Sequence, residues 1–159
     1  GMAHSYEGAS RPVACGGGMQ EIDTYLLIQR CDGVASGVYR YDPQGHQLLR
    51  LDALNNACEQ LLQNACHATG AEQSPDVLFQ FAARYGRLSW KYEGIVYALI
   101  LKHVGGIMQQ LYLVATALNL APCSLGCGDS ELFARATSLD PWTDACVGEF
   151  MLSSYSEGD

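Results

Sequence analysis

One long apolar segment, residues 95–120, constrains the fold of this chain more than any other feature. Six apolar residues recur there at the spacing of one helix face: Ile95, Leu99, Ile107, Leu111, Val114 and Leu118. The opposite face is also largely apolar, and a helix of this kind belongs in a core or an interface. Two adjacent glycines, Gly105 and Gly106, lie inside this helix, and each lowers helix stability by about 1 kcal/mol. The pair suggests close approach of another backbone or of a flat ligand. Pro122 ends the helix.

Composition places the chain among folded proteins of one domain, with 159 residues, 48% of them hydrophobic and 16% charged. We find no apolar run near the ~20 residues that cross a bilayer, so the sequence predicts no membrane span. The chain has nine Lys and Arg residues and seventeen Asp and Glu residues, which gives it a net charge of −8. That balance argues against binding to nucleic acid or to an anionic membrane surface. The low charge density predicts that another chain covers part of the surface.

The number and spacing of the cysteines indicate the redox state of the compartment in which the protein occurs. The seven cysteines include no CxxC pair, and no Cys/His pair has zinc-finger spacing, which predicts no bound metal. The first residues are small and polar and do not resemble a signal peptide. We therefore expect a reduced, cytoplasmic protein whose cysteines are mostly small buried hydrophobes.

The remaining sequence alternates between strand and helix signals. Short apolar runs predict strands at residues 24–29, 38–41, 47–51, 77–82 and 147–152, the second and third forming a hairpin across the turn at 42–45. Helical spacing predicts helices at 53–67 and 130–135, the latter capped by Asp129 or Ser130, and residues 123–128 are interpreted as a loop. Because no regular β-α-β rhythm occurs, the pattern favours an α+β fold with a mixed or antiparallel sheet and flanking helices.

Glycines near the N-terminus are the first candidate for a binding site. Gly16, Gly17 and Gly18 precede a strand and do not form GxGxxG, which excludes the dinucleotide fingerprint, and no phosphate-loop motif occurs. Successive backbone N–H groups in such a run can line an anion or a flavin edge, but a flexible loop explains the run equally well.

Lys91 and Tyr92 are the second candidate, because a lysine beside a phenol can transfer protons if burial lowers the lysine pKa. A solvated lysine beside a packed tyrosine is the alternative. Residues 123–128 add two thiols, a hydroxyl and free backbone N–H groups without completing a metal site.

Taken together, these segments resemble the azoline oxidases, FMN-dependent enzymes of the nitroreductase-like fold that act on ribosomal peptides, with the cyanobactin type the most similar. The resemblance rests on residues 11–18 with Tyr25-Leu26-Leu27, on residues 33–43, on the Arg-x-x-x-Lys-Tyr motif at 87–92, and on residues 98–128 and 147–152. It covers nearly the whole chain, and the motifs occur in the family's order.

The resemblance implies a function and its residues. Thiazoline or oxazoline rings of a peptide, or a small molecule, would be dehydrogenated to azoles, with O2 as the final acceptor. Lys91 and Tyr92 would be the catalytic pair that removes the ring proton. FMN would contact two groups of residues: Arg11, Cys15, Gly16 and Gly17, and Ser124, Leu125 and Gly126. In this family two subunits share each flavin, so the resemblance implies a homodimer with the long helix at its interface.

The chain departs from the family at two points. Ala14 and Cys15 stand where the family has Pro-Ser, and a thiol is a weaker hydrogen-bonding group than a hydroxyl. Nothing before His4 resembles the family's upstream phosphate-gripping segment. We therefore expect an N-terminus at 1–10 that is disordered or adjacent to a tag, an N-terminally truncated FMN domain at 11–152 and a tail at 153–159. Two alternatives remain: an NAD(P)H-dependent nitroreductase-like enzyme, and a non-catalytic dimeric binding domain.

Overall fold

A computed structural model describes residues 11–155, so the predicted segment 1–10 lies outside the described residues. A six-stranded sheet has the strand order β3-β2-β1-β4-β6-β5, and every neighbouring pair is antiparallel. The strands are β1 (Ile22–Ile28), β2 (Gly37–Asp42), β3 (Gln47–Asp52), β4 (Val77–Arg84), β5 (Ala121–Leu125) and β6 (Asp144–Ser153). The helices are α1 (Asn56–Thr69), α2 (Gly86–Ser89), α3 (Val96–Ala117) and α4 (Ser130–Thr137). The α+β class is confirmed, and of the two predicted sheet types, mixed and antiparallel, the sheet is the antiparallel one.

The predicted hairpin is confirmed, because β2 and β3 pair across the turn that Asp42 begins. The Asp42 carboxylate accepts hydrogen bonds from the backbone N–H groups of Gln44 at 3.1 Å and Gly45 at 3.2 Å. An aspartate at the start of a turn commonly closes it in this way.

Helices cover both faces of the sheet. The face under α1 and α4 buries residues that include Tyr25, Leu78, Ala82, Phe133 and Met151. The face under α3 buries residues that include Ile22, Phe81, Phe150, Ile100 and Val104. Each large apolar side chain buried in this way stabilises the fold by roughly 1.5–3 kcal/mol.

Both helices of the first face have side-chain caps at their N-termini. Asn55 accepts from the N–H groups of Ala57 and Cys58 at the start of α1, and Gly70 ends that helix in the left-handed conformation. Asp129 accepts from Leu132 N–H at 2.8 Å at the start of α4, which selects Asp129 from the two predicted caps.

Helix α3 is continuous through its two glycines. No described atom other than the helix's own backbone lies within 4 Å of a Cβ placed on Gly105 or Gly106, so the described chain supplies no partner that approaches them. By length and composition, α3 is the one helix among residues 11–155 that could cross a membrane, and 17% of its most apolar stretch is buried. The prediction that no apolar run is long enough was therefore wrong. The helix nonetheless packs on β5 and β6 through Ile100 and Val104, and its outer face is left uncovered by the described residues.

Two further predictions were wrong, and one short element was not predicted. The segment interpreted as a loop at 123–128 begins as an edge strand, β5, because Leu125 is buried in the core and Ser124 pairs with Phe150. The short helix α2 was missed. Of the seven cysteines, only Cys58 and Cys146 are buried.

Candidate active site

The glycine segment before β1 is held by a buried carboxylate. Gly16 is buried, and its N–H donates to Glu21 Oε2 at 3.1 Å. Met19 N–H closes a turn onto the Gly16 carbonyl at 3.2 Å, and Gly17 adopts a φ of +59° inside that turn. A left-handed φ favours glycine, so the backbone here has a fixed shape and no side chain in front of it.

Glu21 links this turn to the long helix. Its side chain is 0% exposed, and its Oε1 hydrogen-bonds Nδ1 of His103 in α3. A buried polar group must find such partners to be tolerated. The sequence analysis did not single out Glu21, although an acidic residue directly before an apolar strand was a usable signal.

Lys91 and Tyr92 lie against the same turn. Their N–H groups both donate to the Leu88 carbonyl at 2.9 Å, which makes them the continuation of α2. Leu88 is fully buried against Gly16. A Cβ placed on Gly17 would lie 3.1 Å from Tyr92 Oη and 3.2 Å from Lys91 Nζ, so both functional atoms converge on Gly17. The Lys91 Nζ atom lies 5.2 Å from the centre of the Tyr92 ring.

Arg11 and Cys15, the other two predicted residues of this segment, flank the turn. One terminal nitrogen of Arg11 donates to the Ile22 carbonyl at 2.8 Å, which ties the segment to the start of β1. The Arg11 Nε atom is buried with no partner among the described residues. Cys15 is half-buried.

The second predicted group, Ser124, Leu125 and Gly126, lies in and directly after β5, the edge strand, and not beside β1. β4 and β6 separate β5 from β1, which corresponds to three strand spacings of about 4.8 Å. Ser124 N–H donates to Tyr112 Oη of α3 at 2.8 Å, whereas the Leu125 side chain is buried on the α1/α4 face. The structure therefore brings Gly16, Gly17, Lys91 and Tyr92 together and places 124–126 at a separate position.

FMN would need both a flat surface and a phosphate site. The Gly17 turn offers the ring bare backbone, and the Lys91 and Tyr92 side chains lie directly against that backbone. Among residues 11–155, two arginines that could bind the phosphate already pair with other groups. Arg87 donates to the Gln20 carbonyl at 2.6 Å, and Arg84 lies 2.7 Å from Asp23 and also pairs with Asp144.

The antiparallel six-stranded sheet with the long helix α3 on one face and α1 and α4 on the other is an α+β architecture of the nitroreductase type. The chain belongs to the nitroreductase family, whose model matches residues 7–152.

Individual relatives agree with this assignment. The chain is 30% identical over 117 residues to MJ1384 of Methanocaldococcus jannaschii, a protein named as a nitroreductase, covering 73% of this chain and 58% of that protein. It also resembles the solved E. coli microcin synthetase McbBCD complex with truncated pro-MccB17 bound, with a TM-score of 0.77, 21% identity, and coverage of 92% of this chain and 56% of the other.

A nitroreductase-named protein from Anabaena variabilis gives a TM-score of 0.74 at 22% identity, covering 88% of this chain and 28% of the other. The two structural likenesses show the fold alone. The chain spans less than two thirds of the length of each of these three relatives.

Proposed function

We propose that this chain is an FMN-dependent oxidoreductase that dehydrogenates thiazoline or oxazoline rings of a peptide to azoles, with O2 as the final acceptor. The convergence of Lys91 Nζ and Tyr92 Oη on the exposed backbone of Gly17 is the observation that carries the proposal. It places two proton-transfer groups beside a glycine turn that carries no side chain of its own.

The reaction removes one hydride and one proton from the azoline ring, and O2 leaves as hydrogen peroxide. Bound FMN would supply the hydride acceptor and a path for the electrons to O2. The exposed Lys91 and the half-buried Tyr92 act as a pair that takes the ring proton, for which one of the two must be deprotonated when the substrate arrives. Gly17 leaves room for both side chains. The turn anchored by Glu21 holds this geometry before substrate arrives, which lowers the cost of orientation.

Two further observations support the substrate class and the assembly. The McbBCD complex was solved with truncated pro-MccB17 bound, which supports a peptide substrate. Tyr97, Leu101 and Leu113 of α3 are exposed, as is Leu118 directly after it, which supports a homodimer formed through this helix.

The test begins with flavin uptake. The purified chain is incubated with excess FMN and desalted, and we expect the visible flavin absorbance to remain with the protein. The loaded protein is then given a thiazoline-containing peptide and O2, and mass spectrometry follows the loss of two hydrogen atoms. We expect Lys91→Ala to retain FMN and to lose turnover by at least 100-fold, in the range of general acid–base catalysis.

Lys102→Ala removes the only other lysine and controls for the loss of a lysine charge; because Lys102 is exposed on α3, the oligomeric state of both variants is compared with that of the unsubstituted chain. Turnover by Lys91→Ala as fast as that of the unsubstituted chain would remove Lys91 from the mechanism. Fast flavin reduction by NADPH without azoline oxidation would instead favour the nitroreductase reaction that the name of MJ1384 suggests. A protein that takes up no FMN would favour a non-catalytic domain.

A further inference from the structure

A cavity lies between the C-terminal end of α4 and strands β2 and β3, on the α1/α4 face of the sheet. Its volume is about 330 Å³, at the lower end of the range of small-molecule sites. Leu51, Ala136 and Leu139 make part of its wall apolar, and polar side chains of β1, β2 and β3 complete it. The function proposed above uses none of these residues.

The hydroxyl group of Tyr25 is a donor that the fold leaves unused. Tyr25 is 2% exposed and lines the cavity, and its ring packs edge-on against Phe133 of α4 with 5.4 Å between the ring centres. No group within residues 11–155 hydrogen-bonds its Oη atom. Burial raises the pKa of this phenol, and the Asp23 carboxylate raises it further, so the hydroxyl keeps its proton at neutral pH. Because buried polar groups normally have a partner, this hydroxyl indicates a ligand with an acceptor atom.

Arg40 is the second donor that lines the cavity. It is paired with Tyr25 across β1 and β2, which places both side chains on the same face of the sheet. Its Nε atom is buried without a hydrogen bond, and its one ion-pair contact among the described residues is a long one, 4.0 Å to Asp23 Oδ2. Asp23 itself is held more closely by Arg84, at 2.7 Å.

The other arginines show how unusual this position is. Hydrogen bonds to oxygens of the chain are made by five of them: Arg11, Arg30, Arg50, Arg84 and Arg87. The Arg40 side chain is 35% exposed and donates no hydrogen bond within the part of the chain that the structure describes. Its guanidinium group is therefore free to bind a carboxylate with two parallel hydrogen bonds, the geometry that a planar guanidinium favours.

Another part of the cavity is negative. Asp52 of β3 is exposed at its rim. The carbonyl groups at the C-terminus of α4, which ends at Thr137, carry the partial negative charge of a helix end. A simple anion would be repelled by these groups, and a simple cation would leave the Tyr25 and Arg40 donors without an acceptor. A ligand with one charged group of each sign satisfies both parts.

We propose that this cavity binds a small aliphatic α-amino acid in its zwitterionic form. The carboxylate of the ligand accepts hydrogen bonds from Arg40 and from the Tyr25 hydroxyl. Its ammonium group lies near Asp52 and the carbonyl groups at the end of α4, and its aliphatic side chain contacts Leu51 and Leu139. This site is separate from the Gly17 turn and does not depend on the flavin chemistry proposed above.

L-leucine is the probe, and two analogues each lack one of its charged groups. Isocaproate lacks the ammonium group, and isoamylammonium lacks the carboxylate. The ¹⁵N-labelled full chain is titrated with each compound while NMR follows Arg40 Nε–H and the backbone amides of Ser138 and Leu139. We expect saturable shifts with leucine and binding of each analogue weaker by at least about tenfold, the effect of one hydrogen-bonded charge. Equal affinity for leucine and either analogue, or no saturation with leucine, would overturn the proposal.

Tyr25→Phe separates binding from folding. It removes a hydroxyl that has no partner in the described chain, so we expect an unchanged melting temperature and an affinity for leucine lower by about tenfold. Tyr39→Phe is the matched control, because the Tyr39 hydroxyl donates to the Ala35 carbonyl at 2.7 Å and lies outside the cavity. It should lower the melting temperature and leave the affinity unchanged. The same affinity in both variants would contradict a role for the Tyr25 hydroxyl in binding.

The two charged residues are tested in the same titration. Arg40→Gln should reduce the affinity for leucine by at least about tenfold, whereas Arg50→Gln, on β3 outside the cavity, should not. Asp52→Asn should weaken the binding of leucine but not that of isocaproate, which has no ammonium group. Undiminished affinity in a folded Arg40→Gln variant, or equal weakening of leucine and isocaproate by Asp52→Asn, would also overturn the proposal.

Discussion

Replacing Glu21 by leucine tests the link between the glycine turn and the long helix. The variant fills the space of the carboxylate but leaves Gly16 N–H and His103 Nδ1 without their partner. Because Glu21 is fully buried, neither group gains water in exchange. We therefore expect a large loss of stability rather than the small effect of a surface change.

The magnitude follows from removing one partner of a buried pair, which destabilises proteins by about 3–5 kcal/mol. For a chain of this length each kcal/mol lowers the melting temperature by about 2–4 °C, so we expect a fall of roughly 6–20 °C. Urea unfolding followed by circular dichroism gives the free energy. Total stabilities are about 5–15 kcal/mol, so this single change would remove a large part.

The double variant Glu21→Leu/His103→Leu is the control that isolates the pair. Replacing both buried polar groups by apolar ones is often neutral or stabilising. We expect the double variant to be more stable than either single variant, with a favourable coupling energy of at least 1 kcal/mol in the cycle. Additive losses, or a single variant within 0.5 kcal/mol of wild type, on the order of an exposed substitution, would refute the argument.

Three smaller predictions concern other positions. Gly17→Val places a branched side chain at a φ of +59°. It should lower the free energy of unfolding, measured with urea, by roughly 1–3 kcal/mol, and it should also reduce FMN uptake. Asn55→Ala removes the α1 cap and should lower the free energy of unfolding, measured with urea, by about 1 kcal/mol. The neighbouring change Asn56→Ala should lower it by less. Burial acts to raise the pKa of Asp76, but hydrogen bonds from Ser154 and Arg30, together with the positive charge of Arg30, outweigh it, and the pKa is lowered. Stability should therefore be lost as the pH falls below the ordinary value of 3.8, and Asp76→Asn should flatten that acid limb of the unfolding curve.

Periodicity predicted the central strands and the three longer helices, because each has an apolar pattern that extends over several residues. The β2–β3 hairpin was predictable from the turn at Asp42. β5 was not, because Pro122, Ser124 and Gly126 are typical of loops and only its pairing with β6 makes the segment a strand. The short helix α2 has too few residues to show a period.

The candidate site was predictable only in part. Adjacency in sequence identified Lys91 with Tyr92 and Gly16 with Gly17, but their meeting depends on α2 folding back onto the start of β1. The Glu21–His103 pair joins residues 82 positions apart, and the apposition of Tyr25 and Arg40 depends on strand register. No local pattern encodes contacts of that range.

The two outer strands differ in their capacity to recruit another chain. All six residues of β3 are exposed, and within residues 11–155 no strand pairs with its outer edge, which can therefore accept main-chain pairing. β5 is only five residues long and contains Pro122, which has no N–H to offer an incoming strand. Fibril growth by strand addition, if the protein is stressed, should therefore begin at β3 and be blocked at β5.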